Sequence, residues 1–244
     1  MKNYTGDRLN FGMACELANA EGRRCKMVIV ADDCAIPRSK SETGARGVAG
    51  TVLVHKVAGA AAAAGKCLEE VAELGNRVAS RIGSLGVALE AVTLPGAEKV
   101  NTRLEGGKIE IGLGIHGEAG IRQSPMLSAN EISKAMVDTI YDFGYKPANE
   151  HVIHQIKEGD EVAIVVNNLG GTSNFELSIL ARGIILYLED QIGCKVTRSY
   201  VGAFMTSFNM HGASLSILCL DEDTEIVQLL DAATDAPGTF VALR

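Results

Sequence analysis

The chain has 244 residues and a mass of 25.7 kDa, with 47% apolar and 22% charged side chains. That fits one large or two smaller globular domains, and it excludes disorder, a collagen-like chain and a coiled coil as the main architecture. Its 23 basic and 30 acidic side chains give a net charge of −7 and a pI near 5.3, a poor footprint for nucleic acid or a membrane surface.

In chain order, apolar residues recur at helical spacing over 9–21, from Leu9 through Met13 and Leu17, and Gly22 ends the run. Lys26–Val30 is a short apolar run expected to be a buried strand. Residues 32–47 are polar and hold Pro37, Gly44 and Gly47, so they read as a long loop of the kind that is uncommon without a function. Residues 48–82 are expected to be mostly helical. Gly83-Ser84-Leu85-Gly86 is a break in composition and the expected domain boundary. Strands are then expected over 87–92 and from Lys108 into a glycine-rich loop. A helix follows from Ser128, an N-cap with Glu131 at the capping-box position, to about Gly144. A strand over 161–166, a turn over 167–171, a helix over 173–192, strands over 194–205 and 213–220 and a short helix over 224–233 complete the chain. Strands and helices alternate, which predicts an α/β fold.

Six cysteines are scattered with no close sequence pair and read as free thiols in a reducing cytosol. The polar opening carries no signal-peptide pattern. The run from Thr51 to Gly65 is broken by His55 and Lys56 and falls short of the about 20 apolar residues that span a bilayer. A cytoplasmic location is therefore expected, and the glycosylation sequon at Asn3 is expected to stay unused. The chain also opens on a polar turn where an α/β domain ordinarily opens on a strand, as if it began in the middle of a fold.

Gly112-Leu113-Gly114-Ile115-His116-Gly117 satisfies the letters of the dinucleotide fingerprint G-x-G-x-x-G. The residues after it, Glu118 to Pro125, read as loop rather than as the helix whose N-terminus would meet a pyrophosphate. No G-x-x-x-x-G-K-[ST] occurs, so no nucleotide site is expected. His116 itself is the more informative residue. Flanking glycines let a ligand approach, and a neutral imidazole there can be a base, a metal ligand or a nucleophile towards a carbonyl; the plain alternative is a turn histidine bonded to backbone. Asp7 precedes the first predicted helix and reads as its N-cap or as a base for a substrate hydroxyl. Lys2, alone, is an ordinary surface lysine. His55 is expected to pack on its helix. His151 and His154 lack a third ligand nearby, and His211 sits between two strands. Asp32 and Asp33 look like a metal pair but read better as solvated loop acids, and no metal site is expected.

Lys2-Asn3-Tyr4-Thr5-Gly6-Asp7 with Leu9-Asn10-Phe11-Gly12, the run Arg46 to Lys56, Gly112 to Glu118, Asn167 to Ser173 and Met205-Thr206-Ser207 together resemble the substrate domain of dihydroxyacetone kinases. The resemblance implies a dihydroxyacetone kinase component, a phosphotransferase to an alcohol group. His116 matches the histidine that bonds to the ketone carbon of dihydroxyacetone as a hemiaminal. Asp7 matches an acid that contacts a substrate hydroxyl and acts as base, and Lys2 a substrate-contacting lysine. No cofactor is then bound by this chain. ATP with magnesium, or a phosphorylated nucleotide, sits on a partner domain or subunit. The resemblance covers about the last two-thirds of the family domain and lacks an upstream portion with a second histidine and a serine. It implies two lobes of mixed sheet flanked by helices: an incomplete first lobe over 1–83 and a second over 84–244. A homodimer is expected to cover the exposed parts of the first. The alternative is a non-catalytic triose-binding co-regulator or truncated paralogue.

Overall fold

A computed structural model describes residues 1–35, 44–96, 104, 107–144, 156–220 and 223–236. Six strands form one mixed sheet: β1 (Ile82–Ala88), β2 (Lys108–Ile111), β3 (Arg122–Pro125), β4 (Glu161–Asn168), β5 (Lys195–Gly202) and β6 (Gly212–Cys219). Their order is β3-β2-β1-β6-β4-β5, with β4 and β5 parallel and the other neighbours antiparallel. The helices are α1 (Thr5–Ala20), α2 (Thr51–Ala63), α3 (Leu68–Ala79), α4 (Ala129–Gly144), α5 (Asn174–Tyr187) and α6 (Thr224–Asp231).

Alternation along the strands splits the core into two layers. Val162, Ile164 and Val166 of β4 join Leu215 and Ile217 of β6 and face Ile132, Met136, Val137 and Ile140 of α4 and Leu177 and Ile184 of α5. Ala163 and Val165 point to the other side, where Leu53, Val54 and Val57 of α2, Leu74 and Val78 of α3 and Ile226 and Leu230 of α6 cover them. Each fully buried aliphatic side chain here contributes about 1.5–3 kcal/mol of transfer free energy. α2 and α3, which precede residue 82, therefore pack on the same sheet as the rest, and the boundary expected at 83 and 84 falls inside β1.

Several elements differ from expectation. Gly83 to Gly86 is strand interior, not a break. A Cβ on Gly83 would lie 2.7 Å from Ile140 Cγ2, so glycine is what lets α4 settle on β1. Residues 26–29 form no strand; Val30 makes one parallel bridge to Lys2, its N–H donating to Met1 O and its carbonyl accepting from Asn3 N, both at 2.8 Å. The segment over 122–125, expected as loop, is the short edge strand β3. The region 48–82 is two helices, broken after Ala63 and restarted at the extended Cys67. The helix from Ser173 ends at Tyr187 and passes into a π-helical turn over Leu188–Ile192. Ser128 and Glu131 do form the expected capping box, Ser128 N donating to Glu131 Oε2 at 2.8 Å and Glu131 N to Ser128 Oγ at 3.3 Å.

α1 starts at Thr5, with Tyr4 as N-cap, so Asp7 is the third helical residue rather than the cap. There its charge favours the helix N-terminus without a capping bond. No side chain of α1 is buried, and Leu9, Phe11, Met13 and Leu17 are exposed.

Candidate functional site

The loop between β2 and β3 carries His116. Its conformation follows from close contacts that leave no room for side chains. Gly112 N donates to Gly86 O at 2.6 Å, Gly114 N to Glu118 O at 2.9 Å and Gly117 N to Gly114 O at 3.0 Å. A Cβ on Gly114 would collide with the Glu118 carboxylate and sit 2.5 Å from Arg46 Nη1. The tight turn pushes the His116 ring out into solvent.

Glu118 then fixes that ring. Its Oε2 accepts the His116 backbone N–H at 2.9 Å, and its Oε1 lies 3.2 Å from His116 Nδ1. A carboxylate at Nδ1 holds the proton there and leaves the Nε2 lone pair free, which is the tautomer a nucleophilic imidazole needs. Partial burial acts to raise the Glu118 carboxyl. Hydrogen bonds from its own backbone N–H, the His116 N–H and the ring outweigh that and hold it below the usual range.

Tyr4 brings the start of the chain to this loop. Its ring meets His116 edge to face, centroids 5.1 Å apart and planes at 81°. Its buried hydroxyl has no hydrogen-bond partner, and burial, with Glu118 nearby, drives its pKa far up, so the phenol stays protonated. Lys2 and Asp7 flank Tyr4 on its two sides and are half-buried. Asn3 ties the same segment down, its Nδ2 donating to Ala45 O at 2.7 Å.

Arg46 clamps the loop from below. Its Nε donates to Asp33 Oδ2 at 2.6 Å and its Nη2 to Gly112 O at 2.8 Å, while the buried Nη1 has no partner. Desolvation pushes Asp33 up to about 6 despite the opposing pull of Arg46. Asp32 is fully buried and accepts from Val48 N at 2.7 Å, Gly50 N at 2.8 Å and the Ser84 hydroxyl. Neither acid is solvated. They are internal anchors, Asp32 of the turn into α2 and Asp33 of Arg46.

The motif over 167–173 supports the loop from the far side. Asn167 Oδ1 accepts from Phe204 N at 2.9 Å and Met205 N at 2.8 Å, and its Nδ2 donates to Met205 O at 2.7 Å. The segment so held places Ser207, whose hydroxyl donates to Ile115 O, next to His116.

His116 and the segment bearing Lys2 and Asp7 thus converge at one end of the sheet, with Tyr4 as the contact between them. Glu118, Tyr4, Arg46 and Asp33 carry no site role in the sequence reading, although Tyr4, Arg46 and Glu118 lie inside the motifs that bear the family resemblance and Asp33 is read there as a solvated loop acid. His55, expected to pack, is exposed on α2, and the buried neighbour is Lys56, whose Nζ donates to Leu229 O at 3.2 Å and to Ala232 O. His211 lies 3.7 Å from Glu176. His151 and His154 lie outside the described residues. Among the described residues no group of three His, Cys, Asp or Glu side chains is placed to hold a metal, and no helix is long and apolar enough to cross a membrane.

The Dak1 domain model matches residues 1–238. The chain is 46% identical over 236 residues to the triokinase/FMN cyclase of Homo sapiens, covering 97% of this chain and 39% of that protein. It is 39% identical to the dihydroxyacetone-binding subunit DhaK of the PTS-dependent dihydroxyacetone kinase 1 of Listeria innocua, covering 96% of this chain and 68% of the subunit. A solved structure of the dihydroxyacetone kinase operon co-activator Dha-DhaQ superposes with a TM-score of 0.84 at 29% identity, covering 98% of this chain and 70% of that one. The chain therefore spans well under half of the first of these relatives and about two-thirds of the other two.

Proposed function

The chain belongs to the Dak1 domain family, and on that premise we propose that it binds dihydroxyacetone covalently through His116 and presents the triose to a phosphoryl donor carried by another domain or subunit. The observation that carries this reading is the His116–Glu118 pair, in which the carboxylate meets Nδ1 of an exposed ring and leaves Nε2 on the side away from it. Nε2 attacks the ketone carbon, the carbon–nitrogen bond forms, and the carbonyl electron pair moves to oxygen, which takes up a proton. The positive charge that develops on the ring is met by the Glu118 carboxylate. A ketone is required for this step, so glycerol, which lacks an electrophilic carbon, is excluded.

Lys2 contacts a substrate hydroxyl, and Asp7 accepts the proton of the terminal hydroxyl as that oxygen attacks phosphorus. Holding the triose by a covalent bond fixes the hydroxyl for in-line attack, where positioning supplies much of the rate. ATP with magnesium, or a phosphorylated nucleotide, belongs to the partner in this reading. The name of the Listeria relative, a dihydroxyacetone-binding subunit, supports such a division of labour. The setting is cytoplasmic glycerone and glycerol metabolism, and the exposed apolar residues of α1 support a homodimer.

The test is carbon NMR with dihydroxyacetone labelled at C2. The ketone resonance should give way to a tetrahedral-carbon signal with the wild-type chain and stay unchanged with His116→Ala. A tetrahedral signal retained in that variant overturns the assignment.

A second reading is favoured by the similarity to the operon co-activator: a triose sensor that never transfers phosphate. Both readings need the His116 adduct. They separate on whether added donor subunit and nucleotide convert bound triose to its phosphate.

A further inference from the structure

We infer that Cys15 and Cys25 form a redox-modification site, closing into a disulfide between α1 and the extended segment that follows it when the protein meets a hydroperoxide. Cys15 Sγ lies 3.5 Å from the backbone carbonyl oxygen of Cys25, so the two cysteines are neighbours in space. With one sulfur already against the other cysteine's backbone, rotation of the two side chains is the movement asked for, not the large backbone shift that bars distant pairs.

The approach is built, not incidental. After α1 the chain reverses through Gly22 N donating to Asn19 O at 3.0 Å and Arg23 N donating to Ala18 O at 2.9 Å. Asn19, one turn beyond Cys15, then grips Cys25 at both ends of its backbone: Oδ1 accepts Cys25 N at 2.9 Å and Nδ2 donates to Cys25 O at 3.2 Å. The same Nδ2 reaches Cys15 Sγ at 3.7 Å. Both thiols line an open cavity of about 650 Å³ with Glu16, Lys26, Glu69 and Glu73, so a small oxidant reaches them. Cys34, Cys194 and Cys219 are buried, and Cys67 sits at the N-cap of α3.

Cys25 is the more exposed of the two and reacts first. Its thiolate attacks a peroxide oxygen and the O–O bond breaks. The product is a sulfenic acid, and the departing alkoxide takes a proton to leave as alcohol or water. Cys15 then gives up its proton and attacks the Cys25 sulfur. The S–O bond breaks, hydroxide leaves as water, and the S–S bond forms. Two thiols lose two electrons and one O–O bond gains them; a thiol reductant reverses the change. The bond would give α1, which buries none of its side chains, a covalent tether to the segment whose Val28 and Val30 pair with Met1 and Asn3.

The test treats the full chain with hydrogen peroxide, blocks remaining thiols with iodoacetamide and maps tryptic peptides without reduction. Arg23 and Arg24 place cleavage sites between the two cysteines, so a linked pair of peptides about 2 Da lighter than the reduced sum is expected, with Cys67 alkylated as control. Dithiothreitol should restore both thiols. Asn19→Ala, with an unchanged circular dichroism spectrum, should slow closure several-fold. Overoxidation of Cys25 without linkage, a bond to Cys67 or to a second chain, or an Asn19→Ala rate equal to wild type overturns the inference.

Discussion

Glu118 Oε1 stands 3.2 Å from His116 Nδ1 while Glu118 Oε2 holds the His116 backbone N–H, so one carboxylate sets both the ring and the turn beneath it. Glu118→Gln keeps the size but can present its amide N–H instead of an acceptor and removes the charge that meets the developing imidazolium. The tetrahedral signal of bound dihydroxyacetone is expected to weaken by about 10- to 100-fold in apparent affinity. An affinity within twofold of wild type, with the fold intact, would remove Glu118 from the mechanism.

Stability should rise as the pH falls from 7 to 5. The folded-state pKa of Asp33 is about 6 against an ordinary value of 3.8, so the folded protein takes up this proton before the unfolded chain does. The group destabilises above its folded pKa, and the cost is relieved on the way down, by about 1 kcal/mol between those two pH values. Buried Asp32, also raised by desolvation, acts in the same direction. Urea unfolding at both pH values checks this, and Asp33→Asn should flatten the dependence.

Arg46→Met leaves Asp33 buried without its cation and Gly112 O without its donor. A loss of about 3 kcal/mol is expected in denaturation, because removing one partner strands the other charge. Adding Asp33→Asn to Arg46→Met should recover part of that loss. Strict additivity of the two changes would mean that the pair does not couple.

Gly114→Ala should lower triose binding about 10-fold or more, because the new methyl displaces the Glu118 carboxylate and Arg46 Nη1. Gly59→Ala is the matched control. A Cβ there meets nothing within 4 Å, and the change should be neutral or add up to about 1 kcal/mol of stability. Equal binding by the two variants would show that the loop yields freely.

Calorimetric titration of the chain with ATP and magnesium should give no specific heat, since the reading places the nucleotide on the partner. Micromolar binding would contradict the divided site. Light scattering tests the dimer: the apolar residues of α1 predict self-association, and a monodisperse monomer at high micromolar concentration would show that this face stays uncovered.

Long periodic segments were the legible part of the fold. Ser128 with Glu131 marks a helix start because capping is local chemistry, and the burial of β4 on both faces shows in its continuous apolar run. Gly83 to Gly86 misleads because a glycine admitted for α4 packing looks the same in sequence as a turn glycine. The run over 26–30 has strand composition, but a strand also needs neighbours, and among the described residues only 1–3 pair with it. Of the proposed site residues, His116 and Asp7 stand out through residue type and motif. Arg46, Asp33 and Tyr4 act through contacts across 66 or more positions or through burial, which spacing does not reveal.

β6 has a consequence for how the molecule is made. It lies between β1 and β4, pairing Ile82 with Leu218 on one side and Ile164 with Ile217 on the other. A ribosome that has released β1 to β5 has therefore delivered two sheet fragments with facing open edges and no centre. Neither fragment can close until residue 219 emerges. Long-range pairing of this kind is slow and leaves strand edges open to other chains. Nascent chains stalled before residue 212 should thus stay protease-sensitive and chaperone-bound, while those released past β6 and α6 acquire protection in a single late step.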